Sequence, residues 1–375
     1  MSPLKTEPFV PSKLPVSEIQ WEPLIPLIGK TNRMLAEYGG ALHAVLNPAV
    51  LLSPLTTQEA VLSSRIEGTQ ATLGEVLKFE AGDAPPEESK RNDILEIVNY
   101  RKALQIGEKR LKERPFNLNL LKELHAILLD SVRGRNMGRG QFRTTQNWIG
   151  VPGSSIEMAE YIPPEPMRLM EFLDDFEKYY HMDTPDPLVQ LAVVHAQFEI
   201  IHPFMDGNGR IGRILIPLFL FEKGILTGPM FYLSSYIEEH RDEYIVKLHD
   251  LGLSPGAWNR WIEFFLLALQ EQSKQNAAKA IAIHDLYERL KDRAIDLTHS
   301  QYAVRLLDQI FKRPIFQSAH ISLGKGQPTR QTVHNLIRLL KEGGMLKVVR
   351  EGHGRLGHVF ALAELVNLCE GKDFL

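Results

Sequence analysis

Only one cysteine, Cys369, occurs among the 375 residues, which excludes an internal disulfide and any cysteine-rich zinc site. The longest clean apolar run covers residues 214–221, far short of the roughly 20 residues that span a bilayer, so no membrane association is expected. Charge excess is equally scarce. With 43 Lys and Arg against 46 Asp and Glu, the net charge of −3 gives no global attraction for nucleic acid or anionic lipid. The amino end, Met-Ser-Pro-Leu-Lys-Thr-Glu-Pro, lacks the apolar core of a signal peptide, and a cytoplasmic location is the expectation. There is no internal repeat and no low-complexity tract. What is present is ordinary globular composition, 44% hydrophobic and 24% charged, in a chain long enough for roughly two to three compact units.

Against this plain background stands His-Pro-Phe-Met-Asp-Gly-Asn-Gly-Arg-Ile-Gly-Arg at 202–213. A histidine is a ready general base near neutral pH. Asp206 is a candidate magnesium ligand, since one carboxylate with phosphate oxygens is the usual arrangement for that ion. Gly207, Asn208 and Gly209 let the backbone approach an anion closely. The apolar run at 214–221 follows at once, so the segment reads as a loop feeding a buried helix whose N-terminus suits phosphate. Arg210 and Arg213, three apart, share a helical face and can grip phosphate oxygens with fork-shaped donors. No Gly-Lys-Ser/Thr follows the glycines, so this is not a Walker loop, and no βαβ unit surrounds them as a dinucleotide fingerprint requires. A Gly/Asn turn with a core histidine would explain Asp-Gly-Asn-Gly alone, but not so many coincident roles.

The stretch resembles the signature of the Fic family, His-Pro-Phe-x-(Asp/Glu)-Gly-Asn-Gly-Arg-x-x-Arg, at every defined position. The resemblance implies a mostly helical enzyme that moves a nucleoside monophosphate, usually AMP from ATP, onto a Ser, Thr or Tyr hydroxyl of a protein. It implies His202 as base, Asp206 holding Mg²⁺ against the α- and β-phosphates, and an anion hole from Asn208 and the Gly207–Gly209 backbone. Arg210 would meet the β-phosphate and Arg213 the γ-phosphate, with Ile211 and Gly212 completing the nucleotide site. Members similar to the kinase-like Doc branch carry Lys where this chain has Gly209, so Gly209 favours nucleotidyl transfer. UMP or GMP transfer stays open.

Upstream, Thr56 to Gly68 reads as a short helix with a capping box (Thr56, Glu59) and a glycine stop. Ser63 and Glu67, four apart, share a face. Ser-x-x-x-Glu-Gly resembles the inhibitory motif of Fic proteins, here N-terminal to the core. That resemblance implies Glu67 pairing with Arg213 and pushing ATP into an unproductive pose; reversal, the removal of AMP, is a further property of some members. Residues 138–153 followed by 158–164 hold two short β-prone pieces around a Gly/Pro/Ser turn, which read as a hairpin. It is similar to the Fic flap, which pairs main chain to main chain with the target segment. Met158, Ala159, Glu160 and Tyr161 would flank the nucleotide, while Phe142 and Arg143 read as structural. Tyr244 aligns with a family tyrosine near the adenine, with a core role as the alternative. His195, on the apolar helix at about 187–201, reads as a satisfied core residue, and Trp258 and Trp261 as packing before a long helix at about 257–292.

Residues 1–26 read as an extended Pro-rich arm. From about 296 the chain gains a local net charge of +4, and helical stretches at 302–311, 318–323 and 328–341 with β-like pieces at 345–350 and 357–362 resemble a winged helix-turn-helix. Gly352 and Gly354 would sit in the wing turn, and Arg330, His334 and Arg338 on the recognition helix. The apolar positions Val333, Leu336, Ile337, Leu339 and Leu340 favour a protein partner, a target or a second copy of the chain, over DNA. The expected architecture is all-α, a Fic helical core with a small β-hairpin flap, with an N-terminal region 1–90, a catalytic core 91–292 and a winged-helix module 296–375. The expected function is autoinhibited protein adenylylation. The alternative is a DNA-binding regulator that uses the nucleotide site as a sensor.

Overall fold

The computed structural model describes residues 7–45, 47–130, 138–151, 153, 155–324, 326, 328–352, 357–371, 373 and 375. The chain is mostly helical. In order come α1 (Ile25–Ala44), α2 (Pro48–Leu51), α3 (Ser53–Ile66), α4 (Leu73–Glu80), α5 (Glu88–Leu111), α6 (Leu118–Leu128), α7 (Leu169–His181), α8 (Pro187–Ile201) and α9 (Asn208–Glu222). Then follow α10 (Ser234–Glu239), α11 (Arg241–Asp250), α12 (Ala257–Thr298) and α13 (Ala303–Lys312), strand β1 (Ile315–Gln317), α14 (Arg330–Glu342), β2 (Lys347–Arg350), β3 (Val359–Ala361) and α15 (Ala363–Glu370). Among the described residues no helix is long and apolar enough to cross a membrane.

Contacts divide the chain into two compact units, Met1–Ala36 with Asn99–Ser273, and Glu37–Val98 with Lys274–Leu375. Each draws on two stretches of sequence, which a reading along the chain cannot register.

The first unit is organised around α8 and α9. Asp186 caps α8 by accepting from the Leu188 and Val189 amides at 2.9 and 3.0 Å, and Pro187 takes the first turn, where its missing donor costs nothing. Apolar residues surround α8 on all sides, so it is buried against α7 and α9 instead of showing one wet face. Trp261 and Trp258 are packing residues, 0% and 1% exposed, and the Trp261 indole donates to the Ala192 carbonyl at 2.8 Å. The described part of the arm before α1 is tied down by Phe9 N–H to Ile162 O, Leu14 N–H to Asp175, and Gln197 to Ser12 O.

In the second unit α2, α3 and α4 pack with α13, β1 and α15. The antiparallel sheet has the order β1-β3-β2, with Phe316 opposite Phe360 and a bulge between Val348 and Arg350. Helix α3 starts at Ser53, a turn earlier than Thr56, and its N-cap Leu52 makes no side-chain bond. The expected capping box at Thr56 and Glu59 is therefore not used as a cap, because Pro54 already supplies a favourable first turn. The working box is Thr72 with Glu75 at the head of α4. The helix does stop at Gly68, whose φ of +98° only glycine adopts without strain. On α14, Val333, Leu336, Ile337 and Leu340 are buried within this unit, and Arg330, Gln331, His334, Asn335 and Arg338 are exposed. Gly354 of the expected wing lies outside the described residues.

Candidate active site

His202 ends α8 in the left-handed region, φ +48° and ψ +61°, a conformation that costs a non-glycine residue roughly 1–2 kcal/mol. It turns the chain sharply and sets the imidazole at the root of the motif loop. Its Nδ1 lies 3.3 Å from the Glu199 carbonyl, which can only accept. The Nδ1–H tautomer follows, and Nε2 carries the lone pair a base needs.

The loop from 203 to 207 is closed by its own side chains. Asn208 accepts from the Phe204 amide at 2.9 Å and donates to the Phe204 carbonyl at 2.8 Å, and Asn147 donates to that same carbonyl at 2.9 Å. The Asn208 side chain, 2% exposed, thus shapes the loop. Gly207, at φ +79°, is the N-cap of α9. The amides of the first turn lie outside the helical ladder and carry the positive end of the helix dipole.

Asp206 Oδ1 accepts from the Gly207 amide at 2.6 Å and lies 3.5 Å from Arg210 Nη2. Its side chain is 46% exposed, so it can offer an oxygen outward while its backbone is fixed. That suits a cation held by one carboxylate plus phosphate oxygens and water. Arg210 and Arg213 are both buried. Ile211 is core, and Gly212 is where α9 meets α8: a methyl group there would run into the Glu199 carboxylate and the Phe198 ring.

Two buried histidines brace the loop and helix. His125 of α6 donates from Nε2 to the Asp206 carbonyl at 3.0 Å, accepts at Nδ1 from the Gly140 amide at 2.9 Å, and stacks on Phe204 with centroids 3.7 Å apart. Burial, with a contribution from Arg210, pushes its pKa down to about 4. His195 bonds the Gly212 carbonyl through Nδ1 and the Tyr244 hydroxyl through Nε2, and burial followed by Arg213 pushes it to about 3. His195 is thus a satisfied core residue. Tyr244, 7% exposed, spends its hydroxyl on that core contact, which is the packing alternative to an adenine contact.

Both histidines fold neutral while the unfolded chain protonates near 6.5. Their stability is complete above that pH and is lost as pH falls towards the lowered folded values, at roughly 1.4 kcal/mol per pH unit for each group. Urea midpoints should therefore drop between pH 6.5 and pH 4, and His125→Gln should flatten that slope relative to the unaltered chain. Identical slopes would remove His125 from the account.

The flap is slighter than a hairpin of two strands. Ile149 and Tyr161 form an isolated antiparallel bridge, followed inward by a 3₁₀ turn at Ile156–Met158. Met158 and Glu160 are exposed, Ala159 is buried, and Tyr161 is buried with its hydroxyl on the Ile200 carbonyl at 2.8 Å. Tyr161 is thus an anchor of the flap to α8, not an open contact surface. Ser63 is buried on α3, and Glu67 is exposed as its C-cap, bonding through its amide to Ser64 O.

Sequence reasoning missed His125 and Asn147, whose partners are 81 and 57 residues away. The one available signal was a histidine inside the apolar stripe of Leu121, Leu124 and Leu128 on α6.

The Fic/DOC family N-terminal model matches residues 25–109 and the Fic/DOC family model matches 115–220, together about half of the chain. The chain belongs to the Fic/DOC family. It is 24% identical over 342 residues to a probable protein adenylyltransferase of Aquifex aeolicus (strain VF5), covering 86% of this chain and 94% of that relative. It is 28% identical over 194 residues to protein adenylyltransferase fic-1 of Caenorhabditis elegans, covering 50% of this chain but 35% of the worm protein. Both relatives are named as protein adenylyltransferases, the Aquifex one as probable. The crystal structure of a Fic family protein from Desulfovibrio desulfuricans G20 superposes with a TM-score of 0.58 over 94% of this chain and 98% of that one, at 18% identity. That likeness establishes a shared, mostly helical fold.

Proposed function

We propose that the protein is a nucleotidyltransferase that moves AMP from ATP to a Ser, Thr or Tyr hydroxyl of a protein, itself included. The observation that carries this reading is the pairing of His202, with Nε2 as its basic nitrogen, and the glycine-opened N-terminus of α9 in one six-residue loop. The acceptor oxygen attacks the α-phosphorus, the bond from that phosphorus to the bridging oxygen breaks, and pyrophosphate leaves. The acceptor proton passes to Nε2 of His202. Backbone amides from Gly207 to Gly209 receive the phosphate charge, and Arg210 and Arg213 hold the polyphosphate. Asp206 would hold Mg²⁺, which neutralises phosphate charge when bound.

The target segment pairs with the flap near Ile149 and Tyr161 by strand addition. Glu67 restrains the reaction by competing for Arg213, and the same carboxylate could orient water to remove AMP. The order α13, β1, 3₁₀ turn, α14, β2, β3 supports a winged-helix assignment for the C-terminal module. The apolar face of α14 is spent on its own core, and the exposed Arg330, Gln331, Asn335 and Arg338 suit a nucleic-acid groove better than an apolar protein partner. A homodimer through this module is the other partner reading. A cytoplasmic location agrees with the use of ATP.

Incubation with ATP labelled at the α or the γ position separates the chemistries. Protein-bound label from the α position alone is the expected outcome. Label from γ alone would mark a kinase, and no label with tight binding to a DNA duplex would mark a sensor-regulator.

A further inference from the structure

Arg143 is 4% exposed, and its nearest partners are carbonyl oxygens, not carboxylates. Nε donates to the His202 carbonyl at 2.9 Å, and Nη2 donates to Pro164 O at 2.5 Å and Ile201 O at 3.4 Å. Its backbone amide donates to Pro203 O at 2.9 Å. Among the described residues the buried Nη1 has no hydrogen-bond partner, and burial lowers the guanidinium pKa to about 10. A full charge kept in such a place is expensive for stability alone. An apolar residue would fill the space at lower cost.

What the carbonyls share is position. Ile201, His202 and Pro203 are the turn that presents the imidazole, and Pro164 lies just beyond the flap bridge at Tyr161. The fork of one guanidinium therefore joins the base to the root of the flap. The neighbours of Arg143 repeat the pattern: Gln146 donates to Pro163 O at 2.9 Å and Asn147 to Phe204 O at 2.9 Å. Proton abstraction needs the acceptor hydroxyl within hydrogen-bond reach of Nε2, and a displacement of about 1 Å can cost a hundredfold in rate.

We propose that Arg143 is a positioning residue that fixes the distance between His202 and the flap-held acceptor, so that AMP goes to the target hydroxyl in preference to water. This rests on the reading of His202 as base and of the flap as acceptor dock. Water needs no flap, so hydrolysis of ATP to AMP and pyrophosphate provides an internal reference.

The test compares the unaltered chain with Arg143→Lys, Arg143→Met and His202→Ala, using α-labelled ATP and scoring protein-bound against free AMP. Nucleotide binding and thermal melting are measured in parallel. Arg143→Lys keeps the charge but loses the fork, which separates geometry from electrostatics if the methionine variant unfolds. The expected result for Arg143→Lys is a tenfold or larger fall in the ratio of bound to free AMP, with ATP affinity unchanged. An unchanged ratio, or a parallel fall in both products, in a folded variant overturns the proposal. Failure of the underlying reading looks different: His202→Ala would then transfer as well as the unaltered chain.

Discussion

His202→Ala is expected to lower AMP transfer by about 10²–10⁴-fold, the usual contribution of a positioned general base, while the chain stays folded and still binds ATP. The backbone around residue 202 tolerates the change. The Arg143 fork holds the carbonyl of residue 202, which any side chain provides, and alanine pays only roughly 1–2 kcal/mol for the left-handed turn. His202→Asn serves as the companion variant, because asparagine tolerates positive φ but has no basic nitrogen near neutral pH. The two should lose transfer equally although they differ in backbone cost. Incorporation of α-label, with melting temperature as control, checks both. If either retains activity within tenfold of the unaltered chain, His202 is not the base.

The candidate site was legible because its residues are consecutive: turn, carboxylate, glycines and arginines follow one another in 202–213. Its support was not. His125, Asn147 and Arg143 act through main-chain carbonyls far away in sequence, and a carbonyl leaves no mark in a one-letter code. Helix α8 was readable from its mainly apolar sequence between Pro187 and Ile201, despite Gln190, His195, Gln197 and Glu199. The start of α3 was not, since Thr56 and Glu59 have the right spacing for a box that Pro54 makes unnecessary. Strand β1 is three residues long, too short for alternation to show. Hydroxyl partners also escaped: Tyr161 bonds Ile200 O, and Tyr244 bonds His195. The face of α14 shows a further limit. Its apolar stripe was legible, but whether a stripe meets a partner or its own core depends on the tertiary packing.

Glu67→Gly is expected to raise AMP transfer by about tenfold to a hundredfold, the rate equivalent of releasing a charge-assisted hydrogen bond of about 1.5–3 kcal/mol. Glu67 caps the C-terminal end of α3, where the helix dipole disfavours a carboxylate. Helix stability therefore gives no reason for an acid at this position, and the glycine stop needs only Gly68, already at positive φ. Helix α3 packs against α2, α4, α13 and α15, with Ser63 and Ser64 buried, so its end is expected to stay in place when the carboxylate is removed. Glu67→Gln keeps the shape without the charge and should release most of the same activity if charge pairing with a motif arginine is the brake. Glycine adds backbone entropy of about 0.5–1 kcal/mol to the unfolded chain, so melting temperatures of the two variants should differ slightly while their rates agree. Mass spectrometry of a lysate treated with ATP and Glu67→Gly, against the unaltered chain, would record the released activity on its targets. Equal modification by both proteins would mean that Glu67 does not restrain the enzyme.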